Sequence, residues 1–464
     1  MLSFMAEKAK CSDTELGHNT VEDCLLGITV LRPTDADNLP LYHVHQENGV
    51  LICDRFLLGY CTMQERCPHH HTPLPYHWQW RRRKDLVWLS FSILAQQHLE
   101  RLYCNKKCTK VKLKDRSGSC YFLNLDTMML SDNPFYDQVR RLSNSSDHTC
   151  NCYFPAEWKV YWYDLGYWKE YKEPIAQDLV AAFKQKRQRH TFSLHNRHYK
   201  VNIKRLTQRN VKTGFTRRIK YRPVLRYSTS IVRYLCSRSV ALSCEAKAVR
   251  GENPLDLYCG PYPAVWIPPP QGDVGFTMEE MAWSEIASLK VRELFHSTLS
   301  EKQALILAIY RIRNDHLWHA YMRQKERMSQ ERSEEDQMSL EKHLFHGTEA
   351  ARIKRICTEN FHVRFSGLHG TVYGKGIYFA KDASYSHSYA SMTEGEMCHM
   401  FLTKVLTGYW TNGHSGLKRP PVSYDSCTDF TTDPDIFVIF KSCQCYPYFL
   451  IRYKKVDMTV AIDA

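Results

Sequence analysis

The tightest constraint on the chain is a set of soft ligands near its N-terminal end, Cys53-DRFLLGY-Cys61-TMQER-Cys67-PHH-His71. Three cysteines and a histidine with gaps of seven, five and three residues can close a tetrahedral zinc site, because thiolate and imidazole are the donors such structural sites use. A segment this short has little core of its own and needs such a staple to fold. His69 and His70 compete with His71 for the fourth position. The competing reading is chance clustering in a chain with 18 cysteines and 22 histidines, and the ligand spacing weighs against it.

With 464 residues the chain is long enough for roughly three domains with buried cores. Apolar residues at 43% and aromatics at 12% exclude wholesale disorder. A formal charge of +14 favours polyanionic partners such as nucleic acid, although net charge speaks to association and not to fold. The opening MLSFMAEKAKCSDTELGH lacks the apolar core of a signal peptide, and no stretch approaches the ~20 apolar residues of a membrane span. The expectation is therefore an intracellular protein, in the nucleus and/or cytoplasm, with no membrane partner. Its thiols are expected to be reduced, some of them bound to metal.

Residues 1–48 mix polar and apolar types without periodicity and read as an irregular lead-in to the cysteine-rich segment, 49–75. Within 76–145, PYHWQWRRRKDLVWLSF combines Trp78, Trp80 and Trp88 with the basic run Arg81 to Lys84. A second aromatic segment, 150–224, carries Trp158 and Trp168, a helix candidate from Ala176 to Lys186, and the period-two alternation of Tyr199, Val201 and Ile203. That alternation predicts a half-buried strand. Lys184 to Arg189 reads either as a nuclear import signal or as an exposed helix end. Residues 225–262 thin in charge and lead into PYPAVWIPPP, so an extended connector is expected there. The last part, 263–464, opens with a predicted helix from about Ser300 to Met328, with Leu305, Ile309, Ile312 and Trp318 among its apolar positions.

Between His346 and Tyr389 runs HGTEAARIKRICTENFHVRFSGLHGTVYGKGIYFAKDASYSHSY. Small residues let backbone approach a ligand, and tyrosines can stack on a flat ring, so a nucleotide-like pocket is one reading. A glycine-rich loop between two strands is the other.

Three resemblances extend these readings. The Cys53, Cys61, Cys67 and His71 spacing matches the CCCH zinc-finger family, whose members bind single-stranded RNA; Phe56 and Tyr60 lie between the ligands as stacking platforms. A packing or protein-contact role fits a lone finger equally well. Residues 150–224 resemble a WWE module, a half-open β-sheet with one helix, and 76–145 resemble a divergent copy, which suggests a duplication. In modules that recognise iso-ADP-ribose, a tyrosine, a glutamine and an arginine recur, and Tyr199, Gln208 and Arg218 fall on that pattern, implying ADP-ribose or its polymer as a partner. Stacking, edge hydrogen bonding and a bidentate phosphate grip suit those side chains; packing by Tyr199 and Gln208, beside a solvated basic face at Arg217, Arg218 and Lys220, is the alternative.

Residues 263–464 resemble the catalytic domain of the poly(ADP-ribose) polymerase superfamily, through LFHGT, SGLHGTVYGKGIYFAKDASYSHSYA and DIFVIFKSCQCYPYFLIRY. The order of finger, WWE region and catalytic domain resembles its CCCH branch. The implied architecture is multidomain α+β, ending in an ADP-ribosyltransferase fold of two packed, mixed or antiparallel sheets with flanking helices. NAD is the implied co-substrate and zinc a structural ion. The resemblance assigns His346 to an NAD ribose hydroxyl and Gly347 to the nicotinamide amide, with Thr348 completing the triplet. Tyr378 and Tyr389 would sandwich the nicotinamide ring, and Ser386 would hold its carboxamide.

Polymerising relatives carry a glutamate where this chain has Ile436. A carboxylate there would activate the ribose hydroxyl of an acceptor ADP-ribose, and isoleucine cannot. Asp435 should point to the opposite face of the strand. The implied activity is transfer of single ADP-ribose units to Glu, Asp or Cys side chains of target proteins and of the chain itself. The alternative is a catalytically silent zinc-finger and WWE scaffold that binds RNA.

Overall fold

The computed structural model describes residues 30–31, 43–226, 231, 235, 253–259, 262–266, 275–283, 285–330, 332–363, 371–390 and 397–462. Most of the expected lead-in and connector, including the prolines at 268–270, lie outside them.

Two β-modules follow the cysteine-rich segment. In the second, six strands run in the order Arg189–Leu194, Arg197–Asn202, Thr207–Asn210, Thr216–Pro223, Trp158–Asp164, Tyr167–Glu170. Tyr199 and Val201 are buried while His198 and Lys200 are exposed, the alternation that a one-sided sheet imposes. Helix Ile175–Lys184 covers the apolar face with Leu179 and Ala182. The first module repeats this strand order with Lys110–Lys114, Cys120–Asn124, Met129–Ser131, Tyr136–Ser143, Tyr76–Arg82 and Trp88–Ser90, and packs its own helix, Ile93–Cys104. Ser92 caps that helix through its hydroxyl, satisfying an otherwise orphaned amide.

The first module has a seventh strand that the second lacks. Thr459–Ala461, from the far end of the chain, pairs in parallel with Lys110–Lys114. Val460 and Ile462 enter the core of the first module beside Trp78, Leu99 and Leu113. Next to this seam, Arg101 and Glu301 form a buried ion pair at 3.0 Å. Lys220 of the second module donates to Lys106 O at 3.1 Å, Cys108 O at 3.0 Å and Thr109 Oγ1 at 2.7 Å of the first.

The C-terminal domain forms a single ladder of ten strands, the first contributed by the expected irregular lead-in, ordered Val30–Leu31, Thr277–Glu280, Ala304–Arg313, Cys445–Lys455, Met397–Leu406, Glu341–Thr348, Ile377–Ala380, Ile436–Ile439, Ser426–Thr428, Trp410–Asn412. Between Glu341–Thr348 and Ile377–Ala380 the pairing narrows to Phe345 with Ala380. The two expected sheets are thus joined edge to edge at one residue pair, and a cleft opens there.

Two expectations change. The helix predicted from Ser300 to Met328 is a strand, Ala304–Arg313, followed by helix Asp315–Ser329. Leu305, Ile309 and Ile312 match helical spacing, yet the run lies between two neighbouring strands and is buried on both faces. Inner strands read as continuous apolar runs that periodicity alone does not separate from buried helices. The expected connector is also only partly extended chain: Tyr258–Cys259 pairs with Tyr262–Pro263, and Leu255 and Trp266 pack into the core of the C-terminal domain.

Candidate active site

The cleft at the narrowed seam has a volume of about 320 Å³. His346, Gly347 and Thr348 come from one side of the seam and Tyr378 from the other, and Ser386 and Tyr389 follow on and just past the short helix Ala383–His387. His346 ties the two sides together, because its Nδ1–H donates to the Tyr378 carbonyl at 2.8 Å. A carbonyl can only accept, so the acid–base chemistry of this ring lies at Nε2.

Gly347 is required by close approach. A Cβ there would lie 2.1 Å from Ser386 O and 2.9 Å from Ala390 N, so the strand meets the serine segment only through a residue with no side chain. Gly374 is required by conformation, with φ +132° and its Cα face against Phe440. That turn clamps Tyr378, whose hydroxyl accepts from Tyr373 N at 2.9 Å and donates to Gly374 O at 2.8 Å. The ring is therefore held as a fixed wall. Tyr389 is linked to Tyr385, which the sequence reading passed over, with hydroxyls 3.3 Å and ring centroids 5.6 Å apart. Arg352, Arg355, Asn360 and His362 also line the cleft and were not singled out; nothing in their local pattern distinguishes them from an ordinary helix face and its C-terminal turn.

Ile436 lines the cleft and is 4% exposed. The pairing of Ala380 with Ile436 and of Tyr378 with Val438 puts Ile436 on the face that carries Tyr378. Asp435, one residue earlier, is exposed on the other side. Asp433 is also exposed and pairs with Lys381 at 2.6 Å. Glu349, the carboxylate among the described lining residues, stands beside Thr348 and pairs with Arg352 at 3.4 Å. The cleft thus combines a clamped histidine, aromatic walls and glycine-permitted backbone contact, with an alkyl group where a base would stand.

The poly(ADP-ribose) polymerase catalytic domain matches residues 289–420, and the WWE domain matches twice, at 76–141 and 156–221. Protein mono-ADP-ribosyltransferase PARP11 of Mus musculus is 32% identical over 282 residues, covering 55% of this chain and 77% of its own length. The chain belongs to the poly(ADP-ribose) polymerase family. Protein mono-ADP-ribosyltransferase PARP12 of Homo sapiens is 31% identical over 441 residues and 88% of this chain, and the chain spans 58% of that relative's length. The mouse PARP12 match likewise covers 58% of the relative.

In this polymerase-family chain the finger ligands converge. The ligand atoms of Cys53, Cys61, Cys67 and His71 all lie within 4.8 Å of one another, close to the roughly 3.8 Å between donors around a zinc ion with bonds of about 2.3 Å. His71 Nε2 is buried without a hydrogen-bond partner, and burial pushes the imidazole down to about 4, which keeps it a neutral donor. Of the three competing histidines, His71 joins the group. Phe56 is buried and stacks on His71 at 4.1 Å, so it is not an open platform for a base, whereas Tyr60 is exposed.

In the second WWE domain the predicted trio is only partly brought together. Val201 pairs with Gln208, Tyr199 with Asn210, and Gln208 with Arg217, so Tyr199, Gln208 and Arg217 share a face. Arg218 pairs with Thr207 and lies on the opposite face, over Tyr163 at 4.7 Å. A shift of one residue exchanges the faces of a strand, and counting from Gln208 through the intervening turn cannot fix that parity. Gln208 accepts from the Tyr171 hydroxyl, and Arg217 pairs with Asp164 at 3.1 Å.

Proposed function

We propose that the chain transfers one ADP-ribose from NAD to a protein side chain, releasing nicotinamide. The observation that carries this reading is the buried Ile436 on the Tyr378 face of a cleft that otherwise retains His346, Ser386 and Tyr389. Relatives whose printed name is mono-ADP-ribosyltransferase support the same limit.

NAD supplies an electrophilic ribose carbon and a nicotinamide leaving group. The chain's part is to bind and orient it. Gly347 offers backbone donor and acceptor to the carboxamide, Ser386 a hydroxyl, and Tyr378 and Tyr389 the faces of a charged pyridinium. His346 holds a ribose hydroxyl through Nε2. The bond to nicotinamide breaks as an acceptor oxygen or sulfur bonds to the same carbon. A carboxylate of a target needs no base, and a cysteine thiolate is already nucleophilic near neutral pH, so Glu, Asp and Cys are the proposed acceptors on targets and on the chain itself. An acceptor ribose hydroxyl, which does need a base, finds none at Ile436.

Cys53, Cys61, Cys67 and His71 would hold one zinc ion, which closes the finger. Tyr199, Gln208 and Arg217 form the proposed ADP-ribose-reading face of the second WWE domain, with Arg217 in place of Arg218. The test is labelling with tagged NAD of the zinc-loaded full chain beside His346→Ala. Label on the wild type and at least about a hundredfold less on the variant is expected. Absence of label on wild type and targets would leave the silent scaffold reading instead.

A further inference from the structure

Ser386 and Tyr389, two of the residues proposed to hold nicotinamide, stand on the helix Ala383–His387 and just past its end. That helix has five residues and no side-chain cap at Asp382, and a helix well short of about twelve residues does not hold its own shape in water. Its place must come from what it touches. On one side Ser386 O lies against Gly347, where a Cβ would come within 2.1 Å. Another hold comes through His387, a residue that the proposed chemistry does not use.

His387 Nδ1 and the Tyr453 hydroxyl share a hydrogen bond of 2.8 Å. Tyr453 is fully buried in the inner strand Cys445–Lys455, where it pairs with Cys398 on one side and Ile306 on the other. Its ring meets Phe295 edge to face, with centroids 4.9 Å apart. A side chain packed this closely in an inner strand has little room to shift, and a buried hydroxyl left without a partner is costly. Tyr453 is thus a fixed polar point in an apolar core, and His387 reaches it.

The anchor strand is itself fastened. Beyond Lys455 the chain reaches Asp457, whose carbonyl accepts from His98 Nε2 at 3.0 Å, and then Thr459–Ala461 in the sheet of the first WWE domain. A second hydrogen bond, from Ser384 N to Thr298 Oγ1 at 3.3 Å, joins the start of the short helix to the end of helix Ile286–Thr298, which carries Phe295. Ties near both ends of the short helix oppose its rotation, and rotation would swing Ser386 out of the cleft.

We propose that His387 and Tyr453 are positioning residues for the nicotinamide half of NAD: their hydrogen bond sets where Ser386 and Tyr389 stand. The proposal rests on the reading of the cleft as an NAD site. A contact that only places the walls of the nicotinamide site supports substrate and transition state alike, so its loss falls on binding more than on the chemical step. Tyr453→Phe removes one oxygen and keeps the ring. In the zinc-loaded full chain this variant should raise the KM for NAD roughly fivefold or more while kcat stays within about twofold, and calorimetric titration with nicotinamide should show the same loss of affinity. His387→Ala should match it, and the double variant should bind no more weakly than either single one, because all three lack the same bond. Unchanged KM and nicotinamide affinity in Tyr453→Phe, or losses that add in the double variant, would overturn the proposal. Should the wild type bind nicotinamide and transfer nothing, while both variants bind it more weakly, the positioning role stands and the transfer reading falls. A wild type that binds no nicotinamide would overturn both.

Discussion

Glu341 shows how single side chains hold the strand that carries His346. At the start of that strand it meets the fully buried Lys404 and, at 2.8 Å, Lys325. Burial alone would raise its carboxyl; the two ammonium groups more than offset this and bring it down to about 2. Because the unfolded carboxyl titrates near 4.5, the contribution is complete above that pH and fades as pH falls toward 2. Its size is on the order of 3 kcal/mol. In urea unfolding, Glu341→Gln should therefore be less stable than wild type by about that amount at pH 7, with the gap roughly halved by pH 3. A gap that does not change with pH would contradict the pairing. The cleft residues His346, Tyr378, Ser386, Tyr389 and Ile436 were legible in the sequence because they sit in short local motifs. Arg217 was not, since its face depends on the parity of a turn, and the commitment of Phe56 to His71 depends on a ring contact that spacing does not encode.

At the level of elements, the sheets were legible where one face is wet and obscure where neither is. The Arg197–Asn202 strand announced itself by alternation, whereas Ala304–Arg313, an inner strand, read as helix. Its true end was signalled by Asn314, whose side chain caps the following helix by accepting from Leu317 N at 3.1 Å. The pairing of Thr459–Ala461 with Lys110–Lys114 could not be read at all, because it joins residues far apart in the chain that share no local pattern. That strand makes the first WWE domain part of the catalytic unit. Val460→Asp, which puts a charge into the shared core, should cost about 3 kcal/mol or more and lower the melting of both parts in one transition. Selective loss of the first domain, with the catalytic part melting as before, would show that they fold independently.

Over the whole molecule, the finger, two WWE domains and catalytic domain are connected through buried contacts. Lys220 and Arg222 link the WWE domains, the latter through Asp126, and Arg101 with Glu301 links the first of them to the catalytic domain. A formal charge of +14 favours anionic partners throughout. The proposed ADP-ribose-reading face at Gln208 and Arg217 stands on this frame beside the cleft proposed to orient NAD. At the cleft, Ile436 is proposed to limit the product to one unit. The most direct measurement is mass spectrometry of the full chain and its modified targets after incubation with NAD. Adducts of one ADP-ribose per modified side chain, on Glu, Asp or Cys, are expected. Chains of two or more linked units on one side chain would contradict that limit.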